Sequence, residues 1–211
     1  GKGGSEPHFA KAKQLAKFAP MALNVEAVSA QAQANWTGSV GLSRRALIGN
    51  AESVNAYLNL ARAYYGARNW GQAIYHYKQV PRSSEYWAQA HFEEAWAHFM
   101  GADMAGTLGL LQSHKSPFME ELYFPEADML RAQSLFYMCK FGTAVEEMDF
   151  FEKRYQPIQE NLDASLAELD AAAAFVDVGN YLDGSGSKLP GIVLRKYRTE
   201  DRIAEARSAV A

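Results

Sequence analysis

The chain has 211 residues, 48% hydrophobic and 21% charged, which suits one globular domain or a short repeat array with helical extensions; two independent domains are not expected. No run of about 18 apolar residues occurs, which excludes an ordinary transmembrane helix. A formal charge of -3 argues against a phosphate-backbone binder, which needs a concentrated basic face, so nucleic acid is not an expected partner.

The chain opens Gly1-Lys2-Gly3-Gly4, with no initiator methionine and no charged-then-apolar signal. Either a targeting segment has been removed or the sequence starts inside a longer protein. Phe9, Ala12, Leu15, Ala16 and Ala19 make a helical stripe expected to end at Pro20, and Leu23 to Ala34 reads as an alanine-rich second helix. Asn35-Trp36-Thr37-Gly38 to Gly41 reads as a loop, and its first three residues are formally a glycosylation acceptor of the kind that arises by chance. Residues 1–52 are thus an N-terminal helical extension and loop, suited to cap the open end of a stack.

Residues 53–157 carry an internal repeat. Tyr57-x2-Leu60-Ala61-x2-Tyr64-Tyr65, then Asn69-Trp70-Gly71-Gln72-Ala73-Ile74 and Tyr77, recur at an offset of 34 as Ala95, His98-Phe99, Asp103 to Leu108 and Leu111. At an offset of 71 they recur as Ala132, Leu135-Phe136, Lys140 to Val145 and Met148. In each unit two amphipathic stretches flank a short break, at Gly66 to Asn69 in the first, and a short break makes the two helices antiparallel neighbours. Small residues at Ala61, Ala95 and Ala132, and at Ala73, Thr107 and Ala144, fall where helix axes approach closely, with Tyr65, Phe99 and Phe136 filling the space beside them. Tyr64 and Phe99 join these alanines as expected core. Pro81 closes the first pair, and Ser83-Ser84-Glu85 offers an N-cap to the next helix. The three residues added between the second and third units (71 minus 34 is 37) fit a loop from Ser113 to Phe124 that holds Pro117. Pro125 suits a first-turn position with Glu126 and Asp128 near the positive end of the helix dipole, and Pro157 ends the third pair.

Residues 158–211 read as C-terminal capping helices. Ile158, Leu162, Leu166, Leu169 and Phe175 continue a long helix, Asp183 to Lys188 forms a flexible Gly/Ser loop that lacks the order of a P-loop, and Thr199 N-caps a last helix with Glu200 and Asp201 in its first turn. Gly142 to Asp183 holds ten acidic side chains against Lys153 and Arg154, whereas Lys188 to Arg207 holds six basic against three acidic. Solvated helix faces explain this, with a docking patch as the alternative. The single cysteine, Cys139, excludes an internal disulfide and suits a small buried residue at a helix end.

No constellation points to an enzyme, and no cofactor is implied. His91, Glu94 and His98 share one helix face, but they are not H-E-x-x-H and nothing completes a metal site. The adjacent pairs Glu93-Glu94, Glu120-Glu121 and Glu146-Glu147 point in different directions on a helix, which does not suit paired acid and base work.

The repeat resembles the tetratricopeptide pattern W-x2-L-G-x2-Y, then A-x3-F, then P. The first unit supplies Tyr57, Leu60, Ala61, Tyr64, Ala73 and Tyr77 at those spacings; His91, Glu94, Ala95, His98, Thr107 and Leu111, and Asp128, Arg131, Ala132, Leu135, Ala144 and Met148, are degenerate versions, and the terminal proline is displaced in each. Val80 to Trp87, Tyr123-Phe124-Pro125-Glu126-Ala127, Phe151 to Pro157, Lys188-Leu189-Pro190-Gly191 and Thr199 to Ile203 are similar to envelope-associated tetratricopeptide proteins of deltaproteobacteria.

The resemblance implies an all-α, right-handed solenoid of antiparallel hairpins, and a protein-binding scaffold in the periplasm, cell envelope or an organelle interior. A cytoplasmic adaptor, or a structural or assembly subunit of a large membrane-associated complex, is the alternative. It also implies that the first helix of each pair lines a concave face carrying Asn55, Leu58, Arg62, Gln89, Phe92, Trp96, Met129, Gln133 and Tyr137. Phe92, Trp96, Met129 and Tyr137 then make an apolar strip covered by a partner segment or by the chain's own residues Phe9 to Ala34. Of the positions matching the family's basic clamp for acidic peptide tails, namely Leu58, Arg62, Phe92 and Trp96, one is basic.

Overall fold

The structure is a computed structural model and describes residues 19–120 and 122–197, apart from the side chains of Phe118, Glu120, Lys196 and Tyr197. Regular structure among these residues is helical, with no strand. The expected stripe at Phe9 to Ala16 and the helix capped by Thr199, with Glu200 and Asp201, lie outside the described residues. The chain divides into two compact units, residues 1–107 and 108–211.

In the first unit, α1 is Ala19–Ala32, α2 Trp36–Gly49, α3 Val54–Gly66, α4 Trp70–Tyr77 and α5 Trp87–Met100, and the unit ends inside α6, Met104–Ser113. From α1 to α5 each helix packs on the next, and α1 also reaches α3. The second unit holds the remainder of α6, α7 (Pro117–Glu120), α8 (Pro125–Tyr137), α9 (Phe141–Ala167), α10 (Ala171–Asp183) and α11 (Gly191–Tyr197), with α8 packed along α9.

One backbone joint recurs four times. Ala34, Arg68, Ala102 and Cys139 adopt left-handed conformations with φ of 56°, 59°, 61° and 57°. Each lies one residue before an amide that reaches back five positions, the 6→1 bond of a Schellman turn. Asn35 N–H donates to Ala30 O at 2.9 Å, Asn69 to Tyr64 at 2.8 Å, Asp103 to His98 at 2.9 Å and Lys140 to Leu135 at 2.9 Å. The same residue then starts the following helix. Asn35 accepts from Gly38 N–H at 3.0 Å, Asn69 from Gln72 N–H at 3.3 Å and Asp103 from Gly106 N–H at 2.9 Å; each closes one helix and caps the next. Lys140 has no capping oxygen. The joints are spaced by 34, 34 and 37 residues, so the period read from residues 53–157 extends one unit further toward the N-terminus.

Residues 35–41 are therefore a cap and the start of α2, not a loop. Leu23 to Ala32 belongs to the first helix of a hairpin, which closes at Ala34: Ala22, Leu23, Ala27 and Ala30 are buried, Leu23 packing with Ala46 and Ala56. Gln31 Nε2 donates to Ser39 Oγ and to Asn59 O, joining α1, α2 and α3. Gly66 does not break α3; a Cβ there would lie 2.5 Å from the Trp36 ring, so this glycine makes room for α2. Pro20 lies within α1, one residue after the first described helical residue, a position that needs no amide hydrogen.

The small residues fall where expected. Ala61, Ala73, Ala95 and Thr107 are fully buried, and Ala132 and Ala144 nearly so. The large ones do less than expected: Tyr64, Tyr65 and Phe99 are half-buried and Phe136 is 59% exposed. Cys139 is exposed, because the left-handed turn turns it outward. Ser83-Ser84-Glu85 does not cap α5, whose N-cap is Tyr86 with no side-chain bond; Ser84 Oγ instead accepts from Tyr86 N–H within a turn. The segment after Ser113 includes α7, opened by Pro117. Pro125 opens α8 with Glu126 and Asp128 in its first turn, as expected. Pro157 lies inside α9 and does not end it. Pro157 and Lys153 are both exposed, so the missing i to i-4 bond falls on the wet side, where water can take its place. The helix stops at Ala167, and Phe175, now in α10, is 79% exposed. Residues 183–188 are pinned: Ser187 Oγ and the amides of Lys188 and Leu189 all donate to Asp177.

Candidate functional site

Arg62 on α3 and Trp96 on α5 occupy equivalent repeat positions, 34 residues apart. One turn before Trp96, Glu93 faces Arg62 across the two helices. Arg62 Nε donates to Glu93 Oε2 at 2.8 Å and Nη2 to Oε1 at 2.7 Å, the bidentate geometry in which Arg and carboxylate bind best. Gln89 Nε2 donates to Glu93 Oε1 at 2.8 Å, and the Tyr77 hydroxyl also bonds this carboxylate. Burial, then the charge and hydrogen bond of Glu93, push the Tyr77 phenol far above its ordinary range, so it stays a donor.

Arg62, Tyr65, Tyr77, Glu93 and Trp96 line an open concavity of about 410 Å³. Its charges are already paired to each other, and its walls are aromatic. Trp96 is wedged edge-on between Phe92 and Phe99, with centroids 6.4 and 5.6 Å away, which fixes the indole while leaving part of it open to solvent. This is a surface for apolar and aromatic contact with polar groups at one edge.

The expected groove residues do not behave alike. Asn55 is exposed and Arg62, Gln89 and Trp96 half-buried. Leu58 is 2% exposed and packs with Ala61, Ala73, Tyr77 and Val80, so it is core and not groove. Phe92 is also buried, and supports Trp96 without lining the concavity. In the second unit Met129, Gln133 and Tyr137 are exposed along α8, and Met129 joins a second concavity, of about 700 Å³, between α8 and α9. Tyr65, Tyr77 and Glu93 were missed as site residues. The repeat offset between Arg62 and Trp96 carried the signal for Glu93, since a residue one turn from Trp96 sits beside Arg62 on the adjacent helix.

His91, Glu94 and His98 do not converge. His91 stacks on Trp87 with centroids 5.0 Å apart. Glu94 is buried, with Lys78 Nζ and His98 Nε2 each 3.7 Å from Oε1, and burial pushes its carboxyl above the usual range. His98 Nδ1 lies 2.7 Å from Asp103 Oδ2, whose carboxyl is held low by the Gly106 amide and then by His98. These side chains tie α4, α5 and the next hairpin joint together. Among the described residues no group of three or more His, Cys, Asp or Glu is placed to hold a metal ion. Glu93 and Glu94, and exposed Glu146 and buried Glu147, sit in different surroundings, while Glu120 and Glu121 fall outside the described side chains. No described helix is long and apolar enough to cross a membrane.

No family model matches the chain, and no curated protein matches its sequence.

Proposed function

We propose that the chain is a non-catalytic adaptor of tetratricopeptide type that holds a segment of a protein partner in the concavity around Trp96. The observation that carries this reading is the site itself: a rigidly supported, partly exposed tryptophan beside an Arg62–Glu93 pair whose charges need no further ligand. Such a site offers contact area and a few orienting hydrogen-bond groups, which is what a protein segment needs and a reacting substrate does not. The four hairpin joints at spacings of 34, 34 and 37 residues support the tetratricopeptide reading, since that family's repeat is 34 residues long. Its small-residue positions at the helix crossings support it too.

A pull-down from the native source with wild-type protein and Trp96→Ala, alongside melting curves of both, tests the proposal. The expected result is a partner recovered by wild type and lost from a variant that melts normally. A folded variant that keeps every partner would refute the site.

A further inference from the structure

We infer that the groove between α8 and α9 in the second unit docks a cationic amphipathic helix of a partner protein, at a site separate from the one around Trp96. The groove has an apolar floor and an acidic edge. Met129 from α8 and Met148, Phe151, Ile158 and Leu162 from α9 supply the floor. Met129 is 52% and Met148 46% exposed, so the apolar surface is open and not merely part of the core. Methionine at such a position adapts to the shape of the guest.

Charge selects the occupant. The three ionisable carboxylates lining the groove are Glu126, Asp149 and Glu152, all exposed, and no Lys or Arg lines it. Of the nearby bases, Lys115 and Arg131 both bond Glu147 and Arg154 lies over the Tyr155 ring, while exposed Lys153 follows Glu152 on α9. A second copy of the chain offering this same acidic face would be repelled; a helix with Lys or Arg flanking its apolar stripe would be drawn in, and positioned by the charges it meets. The length fits as well. Met148 to Leu162 spans about 21 Å of helix at 1.5 Å per residue, the reach of a partner helix of about 14 residues.

The test uses the full chain and two synthetic 18-residue peptides, each labelled with fluorescein. Both carry Leu at i, i+3, i+4 and i+7 helical spacing with Ala between; one has Lys on its polar face and the other Glu. Fluorescence anisotropy should show micromolar binding of the Lys peptide and none of the Glu peptide. The double variant Asp149→Lys/Glu152→Lys, whose changes are on exposed side chains, should weaken the Lys peptide at least tenfold with an unchanged melting curve. Met148→Asp should weaken it similarly. Trp96→Ala should leave it unchanged, so that failure here and failure of the Trp96 site are told apart. No binding of the Lys peptide, equal binding of both peptides, or equal binding by the charge-reversed variant would each overturn the inference.

Discussion

Ala102→Gly should stabilise the protein, although it removes a methyl group and adds backbone freedom. Ala102 sits at φ 61°, where an L-residue's Cβ crowds its own carbonyl, at a cost of roughly 1–2 kcal/mol relative to the right-handed region. Its side chain is exposed, so nothing buried is lost. Against the relief stands the extra entropy of glycine in the unfolded chain, about 0.4–1 kcal/mol. The net gain is about 0.5–1 kcal/mol, which raises the melting temperature of a chain this size by about 1–4 °C. Ala34, also exposed and at φ 56°, should respond alike, and because the two joints share no partner the double variant should show the sum. Ala67→Gly is the control: Ala67 is exposed in the same kind of turn but at φ -75°, so there glycine should cost about 0.5–1 kcal/mol. Urea unfolding of the four variants and the wild type gives each difference directly. If Ala102→Gly and Ala67→Gly shift stability in the same direction, the left-handed joints are not present as described.

Other outcomes follow from the packing and the charges. Ala73→Leu and Ala132→Leu insert three carbons at buried helix crossings and should each cost roughly 1–3 kcal/mol; a thermal melt unchanged by either would show the crossing is elsewhere. Burial pushes the Glu147 carboxyl up, but its bonds from Lys115 and Arg131 outweigh that and hold it below the usual range. The stability it contributes is therefore full above the unfolded value of about 4.5 and lost as pH falls through its lower folded value. Glu147→Ala should cost about 1–3 kcal/mol at pH 7 and little below that window; a cost independent of pH, measured by urea unfolding, would contradict the ion pairs. A free acidic C-terminal peptide should not bind, since Arg62 is held by Glu93 and Leu58 is buried; micromolar binding by calorimetry would contradict this.

The helices of residues 53–113 were legible because two signals agreed there: period 3.6 in the apolar residues and period 34 in the small ones. The hairpin of α1 and α2 was legible in principle but missed. Asn35-Trp36 precedes Asn69-Trp70 by 34 residues, as Ala27 precedes Ala61, yet Gly38 and Gly41 read as loop residues. Glycine near an N-cap is ambiguous, because it makes room for the capping side chain as readily as it breaks a helix; a Cβ on Gly38 would lie 2.4 Å from the Asn35 amide. Pro157 misled for a related reason: a proline weakens a helix without having to end it when the rest of the helix is held, and here it lies on the exposed side of α9. In the site, Trp96 and Arg62 were readable from repeat position alone. The same offset places Glu93 near Arg62, but the bond it forms, and the part of Tyr77 in it, depend on side chains on different helices, which no local pattern encodes.

Whether the chain holds a partner against Trp96 is read most directly from the affinity of the partner recovered by wild type for Trp96→Ala, by isothermal calorimetry at matched melting temperature. The expected result is a loss of at least tenfold, the weight of one aromatic anchor of about 2 kcal/mol. Equal affinity in a folded variant would contradict it.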